Sequence, residues 1–177
     1  RVVARAGVPA ASSEATRHVM QANRSKNTKP ELLVRAGLRE AGLTGYRLHW
    51  KKAPGHPDIC FPGRRVAIFV HGCFWHRCPH CSPSRPKTHP EFWEEKFARN
   101  RARDARDCAL LLSQGWTVLV VWECRLKRGL LDQTMETIVE EVRAAREKGR
   151  PGRVVEVGSM PAWRLRELRA RRRMRRS

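Results

Sequence analysis

Residues 66–81 read VAIFVHGCFWHRCPHC. Val66, Ala67, Ile68, Phe69 and Val70 form an apolar run with no alternation, the pattern of a strand in the middle of a sheet covered on both faces. The segment beginning at His71 is then presented at the carboxyl end of the sheet, where open α/β folds commonly place their sites. That segment holds three cysteines, three histidines counting His71, and the adjacent pair Phe74-Trp75.

On the N-terminal side, Tyr46–Trp50 alternates and reads as a strand, and Pro57–Phe61 as a second strand carrying Asp58. Pro62-Gly63 joins the latter to the central strand, so the three are expected to form a meander. Further back, Thr28-Lys29-Pro30-Glu31 matches a capping box with proline in the first turn, and the helix it opens is expected to stop near Gly42. Glu14–Asn23 is expected to form a short helix. On the C-terminal side, a helix is predicted from near Pro90 to about Gln114. Trp93, Phe97, Asn100, Asp104, Cys108 and Leu111 are at helical spacing on one side, and Lys96, Arg99, Arg103 and Arg106 line the other. Trp116–Trp122 reads as a second buried strand leading into Glu123-Cys124, and Leu130–Glu147 as a covering helix. The order of elements predicts one α/β domain with a mixed sheet. Its expected limits are residues 14–150, between a mobile basic arm (1–13) and an arginine-rich tail (151–177).

The 177 residues carry 37 Lys+Arg against 17 Asp+Glu, a formal charge of +20. Such a balance calls for a polyanionic partner, with nucleic acid the default. No apolar run of about 18 residues exists to span a bilayer. No apolar signal region precedes Ala10, so an intracellular protein is expected. In a reducing compartment clustered thiols more often hold metal than form disulfides. Cys73-x4-Cys78-x2-Cys81 suits a tetrahedral zinc ion, and Cys124 is the natural fourth ligand, ending the second buried strand just as Cys73 follows the first. His80 is an alternative to Cys81. Cys60 and Cys108 read as buried free thiols.

Asp58, His71 and His76 converge on one region, and a carboxylate with two imidazoles in a basic protein suggests metal-assisted attack on a phosphodiester. The carboxylate would hold magnesium and a histidine would move the proton. Each residue has a plainer reading. Asp58 could cap a turn after Pro57, His76 could bind zinc or lie on the surface, and Phe74-Trp75 could be core.

Arg24-Ser25-Lys26-Asn27-Thr28-Lys29-Pro30-Glu31, Gly55-His56-Pro57-Asp58, Val70-His71-Gly72-Cys73-Phe74-Trp75-His76, Glu91-Phe92-Trp93 and Val121-Trp122-Glu123-Cys124 resemble, in that order, the very short patch repair DNA mismatch endonucleases. The likeness spans about Arg17 to Glu147. It implies a restriction-endonuclease-like three-layer fold, a central mixed β-sheet flanked by helices, with a structural zinc site. It also implies magnesium-dependent nicking of one strand of duplex DNA beside a T·G mismatch left by deamination of 5-methylcytosine.

By the same resemblance, Asp58 and the Val70 carbonyl would bind magnesium, His76 and His71 would be catalytic, Glu31 would assist through water, and Asn100 holds a comparable place. For Glu31 the capping box is an equal explanation, and both can hold at once. Phe74 and Trp75 match an aromatic wedge, favoured where base pairing is already weak. Met20 is a candidate second wedge, and Arg24, Lys26, Lys96, Arg99 and Arg103 are candidates for phosphate contacts. Where the wider fold has Glu-x-Lys, this chain has Phe69-Val70-His71, which leaves the site short of a carboxylate. The expected protein is monomeric, acts in the bacterial cytoplasm on the nucleoid, and has other mismatch-repair proteins as its protein partners. Two rivals stand beside this reading: a zinc-containing DNA-binding module without catalysis, and a nuclease of the same fold indifferent to mismatches.

Overall fold

The computed structural model describes residues 26–127, 129–145 and 152–157. Helix α1 (Lys29–Glu40) begins where the capping box requires it. Thr28 caps it in an extended conformation, its hydroxyl taking the Glu31 N–H while Glu31 reaches back to the Thr28 backbone. Strands β1 (Arg47–Leu48), β2 (Ile59–Phe61) and β3 (Val66–His71) form the expected antiparallel meander. The first two are shorter than the alternation suggests. β1 stops at His49, whose φ of 45° cannot continue a strand, and Asp58 lies just before β2 rather than on it.

Beyond β3 the chain makes a single helical turn, α2 (Cys73–His76), and then the long helix α3 (Pro90–Ser113). Strand β4 (Thr117–Trp122) comes next, then helix α4 (Leu131–Ala144). β4 lies parallel to β3 in a register that runs from Val66↔Thr117 to His71↔Trp122. A fifth strand, β5 (Val154–Val157), pairs parallel to β4 and completes a mixed sheet in the order β1-β2-β3-β4-β5. That strand falls in the stretch assigned to the arginine-rich tail, where none is expected. Its four residues carry too short a pattern to announce a strand, and pairing with β4 supplies what the pattern lacks. The expected helix over Glu14–Asn23, the basic arm, and the tail beyond residue 157 lie outside the described residues.

Because side chains alternate along a strand, β3 and β4 each divide their residues between two cores. Val66, Ile68, Leu119 and Val121 pack with Val34 and Leu38 of α1 and with Ile138 and Val142 of α4. Ala67, Val118, Val120 and Trp122 pack with Leu111 of α3, Trp116, Cys73 and Cys78. The result is three layers, with α1 and α4 on one face of the sheet and α3 with the cysteine turn on the other. No helix among the described residues is long and apolar enough to cross a membrane.

Part of the positive charge serves the scaffold. Arg143 donates to the Ala41 carbonyl beyond α1, Arg65 to the Gln114 carbonyl beyond α3, and Arg64 to Val142 in the last turn of α4. Each cation meets a helix C-terminus, where orphan carbonyls and the macrodipole favour it.

β5 approaches so closely that a Cβ on Gly152 would lie 2.5 Å from the Trp116 carbonyl oxygen and 3.0 Å from the Gly115 carbonyl carbon. Both are backbone atoms that cannot swing aside. Gly152→Ala is therefore expected to destabilise the domain by about 1–3 kcal/mol, read as a lower urea midpoint. An unchanged midpoint would mean that β5 contributes nothing to the folded unit.

Candidate active site

The parallel register of β3 and β4 ends their strands side by side and hands both chains to the same place. Cys73 then comes after His71 while Cys124 comes after Trp122, and the Cys124 N–H donates to Cys73 Sγ at 3.3 Å. Glu123 reaches across to accept the Cys73 N–H at 3.2 Å, capping the turn α2. Cys73, Cys78, Cys81 and Cys124 come together with their sulfurs all within 4.8 Å. Cys78 and Cys124 are 3.7 Å apart, against about 3.8 Å between ligands on a tetrahedral Zn–S₄ centre. The His80 N–H donates to Cys78 Sγ at 3.4 Å, whereas its imidazole lies 3.3 Å from Glu156 of β5. Glu156 also accepts the Trp122 indole N–H at 2.7 Å. The four sulfurs fit a tetrahedral ion with no open position, and His80 faces away from them.

A second cluster stands on the same face of the sheet. His71 and His76 stack with centroids 3.9 Å apart and planes within 7°. His76 Nδ1 meets Asp104 Oδ2 of α3 at 2.5 Å. Burial alone would raise the Asp104 carboxyl, but the hydrogen bond and charge of His76 outweigh it and hold Asp104 below the usual range. Asp104 is thus the acceptor and Nδ1 carries the proton, which leaves Nε2 of His76 to act as a base. Burial, with the neighbouring His76 adding to it, pushes His71 down to about 3, so its ring is neutral. Ligand atoms of His71, His76 and Asp104 lie within 4.8 Å of one another, but parallel stacked rings are poorly placed to aim their in-plane lone pairs at one ion, an arrangement better suited to proton transfer.

The third cluster surrounds Asp58. β2 ends its pairing with β3 at Ile59↔Ile68, and the Asp58 carboxylate continues the edge by accepting the Val70 N–H at 2.8 Å. A strand residue's N–H and C=O point to the same side, so the Val70 carbonyl faces the Asp58 side too. Burial raises the Asp58 carboxyl to about 6, against the opposing pull of the Val70 hydrogen bond, and the Glu31 charge adds to the rise. Glu31 is 3% exposed; Oε2 accepts from the Asn27 N–H at 3.0 Å and from Arg35 at 2.9 Å. The capping and site readings of Glu31 are thus geometrically compatible. Asp58, His71, His76, Asn100 and Glu31 all line one cleft of about 990 Å³. Asn100 donates to the Trp75 carbonyl at 3.0 Å, which fixes α2 against α3.

Phe74 and Trp75 sit on α2 rather than on an open loop. Phe74 packs edge-on against Trp93 and Phe97, and Lys96 lies over Trp75, Phe92 and Trp93 at 5.2, 5.7 and 5.1 Å. Lys96 therefore belongs with the aromatic group and not with a separate basic face. Arg103 lines the cleft and donates to Asn100, and Arg99 pairs with Glu95. Lys26 is exposed before α1, while Met20 and Arg24 lie outside the described residues. Sequence reasoning misses two residues. It reads Asp104 only as one position of a helix face, although a place four residues after Asn100 is a usable signal. His49 has no signal, since nothing local tells that β1 breaks there.

Residues 11–82 match the family model described as DNA mismatch endonuclease Vsr. The type II nicking enzyme V.XorIIP of Xanthomonas oryzae pv. oryzae is 46% identical over 130 residues, covering 73% of this chain and 95% of that protein. V.NmeAIP of Neisseria meningitidis, also a type II nicking enzyme, is 38% identical over 128 residues, 72% of this chain and 91% of its own length. The DNA mismatch endonuclease Vsr of Escherichia coli is 40% identical over 124 residues, 70% of this chain and 78% of its own.

The thiolate cluster is expected to retain one metal ion per chain, measured by mass spectrometry of the purified protein. Cys81→Ser should lower that content and His80→Ala should leave it unchanged; the reverse pattern would make His80 the ligand. Asp58 supplies a second test. Its folded value of about 6 exceeds its ordinary 3.8, so ionised Asp58 costs stability above pH 6, and the cost vanishes as pH falls toward 3.8. In chelator at about pH 8, Asp58→Asn should raise the melting temperature by roughly 2–4 °C per kcal/mol relieved, with the gain shrinking as pH drops through 6. A gain that does not vary with pH would contradict a buried, ionised Asp58.

Proposed function

The chain belongs to the DNA mismatch endonuclease Vsr family, and on that premise we propose that it nicks one strand of duplex DNA beside a T·G mismatch in a magnesium-dependent reaction. The observation that carries the mechanism is the cleft that gathers a raised carboxylate, Asp58, opposite the His76–Asp104 pair. The donor set at Asp58 suits a hard divalent cation, with a carboxylate oxygen, the Val70 carbonyl on the same side, and Glu31 close by. Bound there, magnesium supplies charge neutralisation at the attacked phosphate.

The remaining steps fall to side chains. His76 Nε2 takes the proton of the attacking water as the water–phosphorus bond forms and the bond to the leaving oxygen breaks, while Asp104 holds the ring and balances its new charge. His71, kept neutral by burial, stacks against His76 and limits its rotation. Phe74 and Trp75 form the wedge, backed by Trp93 and Phe97. A wedge costs unstacking energy that is least at a mismatch, which is the basis of discrimination proposed here. Cys73, Cys78, Cys81 and Cys124 hold zinc, which fixes the turn that carries wedge and base together. Lys96, Arg99, Arg103 and Lys26 would contact phosphates; the resemblance adds Arg24 to these and Met20 as a second wedge.

The fold is read as restriction-endonuclease-like. The working unit is proposed to span residues 14–150 together with β5, as a monomer in the bacterial cytoplasm, feeding its nick to other repair proteins.

The decisive experiment is nicking of an end-labelled duplex with one T·G mismatch beside its T·A control. Nicking is expected only with the mismatch and only with magnesium. His76→Ala should lower the rate by about 10²–10⁴ and Asp58→Ala should abolish it. Equal cutting of both duplexes would leave an endonuclease indifferent to mismatch. Binding without cutting in any sequence context would leave a zinc DNA-binding module.

A further inference from the structure

His49 ends β1 at a left-handed φ of 45°, and that break turns its imidazole inward until the side chain is only 16% exposed. Its Nε2 lies 3.4 Å from Glu31 Oε2 and its Nδ1 3.6 Å from Asp58 Oδ1. Ligand atoms of Glu31, His49 and Asp58 all fall within 4.8 Å of one another. The His49 N–H also donates to the Asp58 carbonyl at 3.2 Å, so ring and aspartate are fixed through the backbone as well.

The tautomer is set by Arg35. One NH2 nitrogen of that guanidinium donates to Glu31 Oε2 at 2.9 Å and faces His49 Nε2 at 3.3 Å, and its two hydrogens serve both. A guanidinium only donates, so Nε2 accepts and Nδ1 carries the hydrogen that faces Asp58. At 3.6 Å the Nδ1–H is too far to consume the Asp58 oxygen in a hydrogen bond. It leaves that oxygen available, with the ring packed beside it and fixed there by the His49 N–H on the Asp58 carbonyl.

We propose that His49 is a positioning residue of the acidic centre, wedged between Glu31 and Asp58 so that the two carboxylates stay within reach of one divalent cation. The inference rests on Asp58 as the cation-binding carboxylate. Groups that orient a metal ligand from behind it commonly set its affinity by about 10–100-fold, and His49 occupies that place here.

The test uses the full chain and two variants that accept a left-handed backbone, His49→Gly and His49→Asn. Glycine deletes the ring, and asparagine restores a donor near the position of Nδ1. On the mismatched duplex that the wild type nicks best, His49→Gly should raise the magnesium needed for half-maximal rate about tenfold, with the rate at saturating magnesium within about threefold of wild type. His49→Asn should restore the magnesium requirement to within about threefold. Manganese binding to the protein without DNA, followed by electron paramagnetic resonance, should weaken in parallel for His49→Gly. A wild-type magnesium requirement in His49→Gly, or a loss confined to the saturated rate, would overturn the inference while leaving Asp58 in place. Asp58→Asn separates the two ideas: if it keeps both nicking and its cation requirement, the reading of Asp58 fails and the role of His49 fails with it.

Discussion

The parallel pairing of β3 with β4 is the contact on which the site depends. Its register sets His71 opposite Trp122, and from that one match come the Cys73–Cys124 contact, the Glu123 cap on α2 and the sulfur cluster. A slip of one residue would reverse every side chain on the moved strand. Val121 would then be driven toward the cysteine turn and Trp122 toward α1 and α4. Such a register is held strongly because both faces are buried, and each face has its own apolar partners. The chemistry is placed at the strand ends, where the pairing stops and backbone groups become available.

A protein with a charge of +20 gathers Glu31, Asp58, Asp104, Asp107 and Glu123 into one cleft. Each acid has a different relation to its surroundings. Glu31 is paired with Arg35 and the backbone of a helix cap, Asp104 with His76, Asp107 with Arg106, and Glu123 accepts the Cys73 N–H. Burial raises Asp58 well above its ordinary value. A carboxylate left that way weakens the fold and strengthens the affinity for a cation, the usual exchange of stability for function. Some of the arginines serve the scaffold instead: Arg143, Arg65 and Arg64 meet the carbonyls at helix ends.

The aromatic group makes a related point about rigidity. Phe74 and Trp75 lie on a single helical turn, which has no stability alone. The turn is held at its start by Glu123, at its end by the Asn100 side chain on the Trp75 carbonyl, and along one side by Trp93 and Phe97. His76 shares that turn with Phe74 and Trp75, so one element carries the imidazole and the aromatic pair together.

The element order, the capping box at Thr28, the burial of both central strands and the gathering of four cysteines are legible in the chain before it folds, because each rests on short-range chemistry. Periodicity reports which faces are apolar, a cap is spelled in four residues, and thiol spacing states its own purpose. Other features arise only when the layers pack. β5 exists because β4 offers a free edge; His80 turns to Glu156 because that strand arrives beside it. Asp104 meets His76 across 28 residues, and His49 meets Glu31 and Asp58 only because β1 breaks at its left-handed φ. These pairings join groups far apart in the chain, and their geometry is fixed by the packing of helices on the sheet, which no local pattern of residues encodes.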